Sequence, residues 1–185
     1  LKVFDVFMAC GRQCVALELC DLGDLETLIS LHKSGLEKYQ FRFDEVVSFA
    51  RQMLSAVEHV HDLGFMHRDI KPANILLCDD RSGCLVVKLA DFGLAARSDN
   101  GWLNEYAGTR DYMSPEQLTD WCHPCCDVWA VGAVVYELLC LDMLIPDDVH
   151  NDDMVDFVWS KQFRDRVLEA SSALPGSTIE ETPLL

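Results

Sequence analysis

Basic residues are scarce in this chain: 15 lysines and arginines stand against 31 aspartates and glutamates, a formal charge of −16 over 185 residues. Such a surface repels a phosphate backbone, which excludes nucleic acid as a partner and leaves basic peptides as the complementary class. A long uncharged apolar run is also missing. The most hydrophobic stretch, Val128 to Ile145, carries Glu137 and Asp142, which marks a buried core helix and excludes a membrane span. There is no disulfide framework: the nine cysteines are odd in number, follow no repeated spacing, and are preceded by no signal peptide. A reducing compartment, cytoplasmic or nuclear, is the expectation. No initiator methionine stands at Leu1, so the chain is expected to start within a domain.

What is present is globular material. Half of the residues are hydrophobic, and a chain of this length can bury roughly 70% of its unfolded surface as one domain. Leu1 to Phe7 and Cys14 to Leu19 read as two short strands joined by a turn at Cys10, Gly11 and Arg12. Asp24 to His32 suggests a short helix, and Lys33 to Arg42 a polar connection. From Asp44, a plausible N-cap, a longer helix carries apolar Val46, Ala50, Met53, Val57 and Val60 at steps of four and three, and Gly64 ends it. Asp79, Asp80, Arg81, Ser82 and Gly83 have turn composition. Asp152 to Phe163 reads as one amphipathic helix, and Leu174 to Leu185, with two prolines and no periodicity, as an irregular tail.

The stretch from Met66 to Arg97 carries the chemistry. His67, Arg68 and Asp69 are followed by Lys71 and Asn74, and Asp91, Phe92 and Gly93 come after a hairpin. Moving a phosphoryl group needs a group to take the incoming hydroxyl's proton, a divalent metal to neutralise charge, and fixed geometry. Asp69 suits the first task; Asp91 and the amide oxygen of Asn74 suit Mg2+, a hard cation that prefers oxygen. Lys71 adds a positive charge for the moving phosphate.

These offsets resemble the eukaryotic protein kinase family, which pairs an H-R-D-x-x-x-x-N loop with D-F-G. The likeness runs from Leu1 to about Leu141. It implies an α+β, protein-kinase-like fold in which truncated small-lobe strands precede a mainly helical large lobe. Its bounds are 1–20 for the last small-lobe strands and hinge, 21–170 for the large lobe and 171–185 for the tail. It also implies ATP and Mg2+ as cofactors and a protein substrate with a Ser or Thr acceptor, because lysine two residues after the loop Asp marks Ser/Thr kinases.

On this likeness Leu17 is the gatekeeper, the backbone of Glu18 and Cys20 meets the adenine, Asp24 sits near the ribose or a basic substrate residue, and Leu76 completes the nucleotide site. Thr109, of the Gly108-Thr109 pair, bridges Asp69 and Lys71. His67 is structural, stacked with Phe92. Arg68 meets the activation-segment position that relatives phosphorylate, here Glu105, whose carboxylate could order the segment without phosphate. Ser114, Pro115 and Glu116 match the family's A-P-E, with Arg164 and Arg166 the candidate partners of Glu116. Asp127 holds the H-R-D turn, and Glu137 stands where basophilic relatives meet a substrate arginine. The Tyr112 to Glu116 run and the helix from Asp127 are similar to the NIMA-related group, apart from Arg110, where that group usually has proline.

Cys122, His123, Cys125 and Cys126 invite a zinc reading, but a closed site needs a second tight pair of ligands and none follows. No G-x-G-x-x-G loop, strand lysine or helix glutamate precedes Leu1. Two readings stay open: part of a competent Ser/Thr kinase whose small lobe lies upstream, or a truncated kinase-like module that binds and does not catalyse.

Overall fold

The computed structural model describes residues 1–35, 41–80, 83–98, 103–119, 121–150 and 153–172. The N-terminal strands β1 (Val3–Ala9) and β2 (Arg12–Leu17) form an antiparallel hairpin with Ala9 opposite Arg12. Its two loop residues, Cys10 at φ 51 and Gly11 at φ 73, are both left-handed, the backbone that a tight hairpin turn matched to strand twist requires. Arg12 therefore opens the second strand and lies outside the turn. The hairpin stands away from the body, with Phe4, Met8 and Val15 exposed.

Asp24 starts helix α1 (Leu25–Lys33): its Oδ1 accepts the N–H of Thr27 at 2.8 Å, satisfying one of the donors a helix start leaves open. Helix α2 (Phe43–Asp62) begins earlier than expected. Arg42 is the N-cap, and its backbone N–H donates to Glu45 Oε2 at 2.8 Å, while Asp44, the expected cap, lies in the first turn and pairs with the Arg42 side chain at 2.9 Å. The glutamate three residues on, reaching back to the cap's N–H, decided the boundary. The predicted apolar stripe is core at Val46, Met53, Val57 and Val60; Phe49 is buried beside it and Ala50 is only half-buried. Gly64, at φ 78, turns the chain out of the helix. Residues 36–40 of the predicted polar connection lie outside the described residues.

After β3 (Phe65–Met66) and a short 3-10 turn (Pro72–Asn74), strands β4 (Ile75–Asp79) and β5 (Leu85–Leu89) pair antiparallel. Their connection is a turn as expected at its described ends: Asp79 Oδ1 accepts from Gly83 N at 3.1 Å and Asp80 Oδ1 from Cys84 N at 3.2 Å, while 81–82 lie outside the described residues. β6 (Ala96–Arg97) pairs with β3, and β7 (Leu103–Asn104) with β8 (Trp121–Cys122).

Helix α3 (Cys125–Cys140) is apolar nearly all round, as a helix with neighbours on every side must be. It packs Val131, Val134 and Leu138 against α2 and the β4–β5 ribbon. The predicted span shifts: the helix starts before Val128 and stops at Cys140, where Leu141 takes a left-handed cap at φ 53. Leu144 and Ile145 then bury into a second cluster with Ala133, Met154 and Phe157.

The single helix expected over Asp152 to Phe163 is two, α4 (Met154–Val158) and α5 (Lys161–Ser172). Ser160 explains the break. Its N–H closes a tight turn onto Phe157 O at 2.9 Å and its Oγ accepts from Phe163 N at 3.2 Å, so it caps the second helix. That helix runs to Ser172, past the expected domain edge at 170, and the tail from residue 173 lies outside the described residues. Among the described residues no helix is long and apolar enough to cross a membrane.

Candidate active site

Asp69 is nine-tenths buried at the centre of a hydrogen-bonded cluster. Thr109 Oγ1 donates to its Oδ1 at 2.6 Å, Lys71 Nζ lies 3.0 Å from its Oδ2, and Asn74 Nδ2 donates to the same oxygen at 3.0 Å and to the Asp69 carbonyl at 2.8 Å. Lys71 Nζ also donates to Thr109 Oγ1 at 2.7 Å, so the hydroxyl bridges lysine and aspartate as expected. Local sequence builds this. Pro72 opens the 3-10 turn that swings Asn74 back over Asp69.

Burial pushes the Asp69 carboxyl up, but the bonds from Thr109, Lys71 and Asn74 outweigh it and hold the group below its ordinary value of 3.8. The sign follows: this carboxylate contributes stability above the unfolded-state value and loses it as pH falls through the lower folded one. A side-chain carboxyl titration by NMR should place the Asp69 midpoint below 3.8, and Lys71→Met should raise it. A wild-type midpoint at or above the ordinary value would contradict the geometry.

Asp91 follows Ala90, whose N–H donates to the Asn74 carbonyl at 2.9 Å, so the two turns are stitched by backbone. Asp91 is exposed and left-handed at φ 58, and its Oδ1 accepts the N–H of Gly93 at 3.1 Å. His67 is fully buried, bonds the Ala90 carbonyl through Nε2 at 3.0 Å and meets the Phe92 ring edge-on at 4.8 Å, the structural place expected for it.

The second group of predicted residues gathers at the hinge. Asp24 and Leu76 form a bridge, Leu22 N donates to Leu77 O at 3.3 Å, and Leu77 N to Gly23 O at 2.9 Å. Leu17 ends β2 about half exposed, Glu18 N donates to Lys2 O at 2.8 Å, and Cys20 is half-buried beside Cys78. The Glu18 carboxylate pairs with Lys88, which holds it below the usual range. Asp24 spends Oδ1 on the helix cap, a role its predicted place beside a ligand did not include.

Gly108 shows why the activation segment needs a glycine there. It sits at φ 126, and a Cβ would lie 2.5 Å from the Arg68 carbonyl, closer than van der Waals contact allows. Gly108→Ala should cost about 1–3 kcal/mol and detach Thr109 from Asp69; chemical denaturation and a rise in protease cleavage around Thr109 would check it.

Arg68 is buried and fastens that segment from the other side: Nη1 lies 2.7 Å from Glu105 Oε2 and Nε donates to Leu94 O at 2.7 Å. Asp127 accepts the N–H groups of His67 and Arg68, each at 2.8 Å, as predicted, and also bonds His61 Nε2 at 2.8 Å. The histidine contact was not foreseen, because it closes between the end of one helix and the start of another.

Two expectations are corrected. Glu137 does not project toward a substrate: it is buried, with Lys33 Nζ at 2.9 Å and Tyr112 O–H at 2.7 Å on its carboxylate. Burial and this carboxylate push the Tyr112 hydroxyl strongly up, so it remains a donor. Neither candidate arginine reaches Glu116. Arg166 instead binds Asp142 at 2.8 Å and Met143 O at 2.6 Å, while the Cys126 thiol faces Glu116 Oε1 at 3.6 Å and accepts from Ser114 Oγ at 3.1 Å. The zinc reading also gains nothing, since no group of three His, Cys, Asp or Glu among the described residues could hold a metal ion.

Two neighbouring turns thus present acid and amide groups above the helical core. The family model for the protein kinase domain matches residues 1–176, and the chain belongs to the protein kinase family. It is 34% identical over 142 residues to the serine/threonine-protein kinase zyg-8 of Caenorhabditis elegans, covering 75% of this chain and 17% of that protein. Mitogen-activated protein kinase kinase kinase 1b of Physcomitrium patens is 36% identical over 167 residues, covering 78% and 20%. The carbon catabolite-derepressing protein kinase of Secale cereale is 36% identical over 151 residues, covering 80% and 28%. The chain thus spans less than a third of the length of these relatives.

Proposed function

We propose that this domain transfers the γ-phosphoryl group of ATP to serine or threonine hydroxyls of protein substrates. The observation that carries the reading is the Asp69 carboxylate, held ionised and aimed by Thr109, Lys71 and Asn74. A carboxylate kept this acidic is a weak base. Its main work is to orient the incoming hydroxyl, taking the proton late, which suits a loose transition state in which the nucleophile contributes little bonding. Lys71 Nζ sits beside both Asp69 and Thr109, placed to meet the charge on the transferred group.

The donor set fits Mg2+. Asn74 spends its amide nitrogen on Asp69, which leaves Oδ1 as its metal-facing atom, and Asp91 offers an exposed carboxylate. Two protein oxygens are few, but Mg2+ is commonly carried by one or two such ligands together with substrate phosphates. Bound there, the ion neutralises charge on the phosphates. Leu17, Leu76 and the backbone at Glu18 and Cys20 would take the adenine, with Asp24 at the ribose. The nine free thiols fit a reducing, intracellular place.

The test is incorporation of labelled phosphate from ATP into peptides carrying Ser, Thr or Tyr, in the protein that contains this domain. Phosphoserine and phosphothreonine are expected; transfer to tyrosine alone, or binding of partners with no transfer at all, would overturn the reading.

Glu105 takes the place of an activation-segment phosphate in this account. The pair is lopsided, with the arginine side chain 6% exposed and the glutamate 60%, so solvent screens it and about 1 kcal/mol, a factor of about five, is the expected strength. Glu105→Gln should raise protease cleavage of the segment by that factor. Wild-type protein should be active without phosphate on Ser98, Tyr106 or Thr109, as mass spectrometry would show; activity that requires one would sink the substitution idea.

A further inference from the structure

We propose that Lys33 is a specificity-determining residue: its ammonium fills the acid site at Glu137 from within, so that this subsite does not select arginine beside the acceptor of a peptide substrate. The inference deepens the transfer reading and rests on it for the place of the acceptor at Asp69.

Three elements make the site. Glu137, in the last turn of α3, is 5% exposed. Tyr112 O–H donates to its Oε2 at 2.7 Å, and Lys33 Nζ, from the last residue of α1, donates to its Oε1 at 2.9 Å. Each carboxylate oxygen is thus met by a donor, which a charge held out of water requires. Tyr112 also ties the site to the acceptor. It closes the 3-10 turn Arg110–Tyr112, its N–H donates to Thr109 O at 3.0 Å, and Thr109 Oγ1 donates to Asp69 Oδ1. Glu137 is therefore joined to Asp69 through two intervening residues, both of the activation segment.

The two members of the ion pair are unequal. The lysine side chain is 39% exposed and the glutamate side chain 7%, so Lys33 reaches the carboxylate from the surface, by the side on which an outside cation would arrive. With Lys33 in place, an incoming guanidinium has to displace an ammonium that is already paired, and gains little for its own desolvation. With Lys33 gone, the buried carboxylate keeps only the Tyr112 hydroxyl. A peptide arginine then brings the missing charge together with N–H donors. Selectivity is set here by what the site already holds, a repulsive element directed at one class of side chain.

The protein that contains this domain is titrated with fluorescent serine peptides that carry arginine or alanine at each position flanking the acceptor. The same peptides are assayed for phosphate transfer. Wild type is expected to treat the arginine and alanine versions alike, within about twofold. Lys33→Met should bind the version with arginine at one flanking position about tenfold more tightly than its alanine counterpart. Lys33→Arg should behave as wild type, and Glu137→Gln added to Lys33→Met should erase the gain. A wild-type preference for arginine that Glu137→Gln removes would overturn the inference, and this arm decides even if Lys33→Met does not fold. No gain in folded Lys33→Met, or a gain that survives Glu137→Gln, would overturn it as well. The binding contrast without any phosphate transfer would overturn the transfer reading and uphold the role of Lys33.

Discussion

Asp69→Asn should lower the proposed phosphoryl transfer by about a hundredfold to ten-thousandfold while leaving nucleotide binding in place. The asparagine keeps the shape and can still accept from Thr109 Oγ1, which now donates at 2.6 Å. What it loses is the charge. Lys71 Nζ, 3.0 Å from Asp69 Oδ2, loses its counter-ion, and Asn74 Nδ2 then faces either a second amide nitrogen or an uncharged oxygen. No atom remains to take the proton of the incoming hydroxyl. Because the proposed metal ligands Asn74 and Asp91 are untouched, the loss should fall on kcat far more than on KM. Labelled-phosphate assays with the full protein, alongside nucleotide titration, separate the two. Equal loss of binding and turnover would mean that Asp69 supports the fold of the loop and does not serve the reaction.

The largest loss of stability should come from Asp127→Ala, about 3–5 kcal/mol. Asp127 is 2% exposed and accepts the backbone N–H groups of His67 and Arg68 together with the His61 ring nitrogen, all at 2.8 Å. Truncation leaves two buried N–H donors unsatisfied, and a buried unmet donor costs about 1–3 kcal/mol. It also frees Arg68, held at φ 68, a left-handed backbone that a non-glycine residue adopts only when its surroundings impose it. Asp127→Asn should cost less, since one acceptor oxygen survives. Urea unfolding with an unchanged slope and a lower midpoint would report this. A change below about 1 kcal/mol would show that the turn holds itself.

Much of this was legible before any coordinates because the site is local. Asp69, Lys71 and Asn74 fall within one turn, and Asp91 returns to Asn74 through one short hairpin, so spacing alone implies their meeting. The Thr109 bridge and the Arg68–Glu105 pair were legible through the resemblance, which supplies long-range partners that spacing does not. The two misassigned side-chain partners share a cause. Glu137 sits on a helix whose sequence does not say which neighbour it faces, and α1 turned out to supply Lys33. Arg166 was considered for Glu116, but the bend at Ser160 re-aims α5 and delivers the guanidinium to Asp142. The helix starts at Arg42 and Ser160 were missed for a different reason: each is decided by which of several polar groups wins a backbone N–H, a contest of a few tenths of a kcal/mol to about 1 kcal/mol.

The central claim is that two neighbouring turns, one bearing Asp69 and Asn74 and the other Asp91, converge on the terminal phosphate of a bound nucleotide and its metal. A crystal structure with Mg2+ and a non-hydrolysable ATP analogue tests it most directly. The account predicts the ion bonded to Asn74 Oδ1 and an Asp91 carboxylate oxygen, with the terminal phosphate facing Asp69 and Lys71. A nucleotide bound elsewhere, or a metal held without either of those side chains, would contradict it.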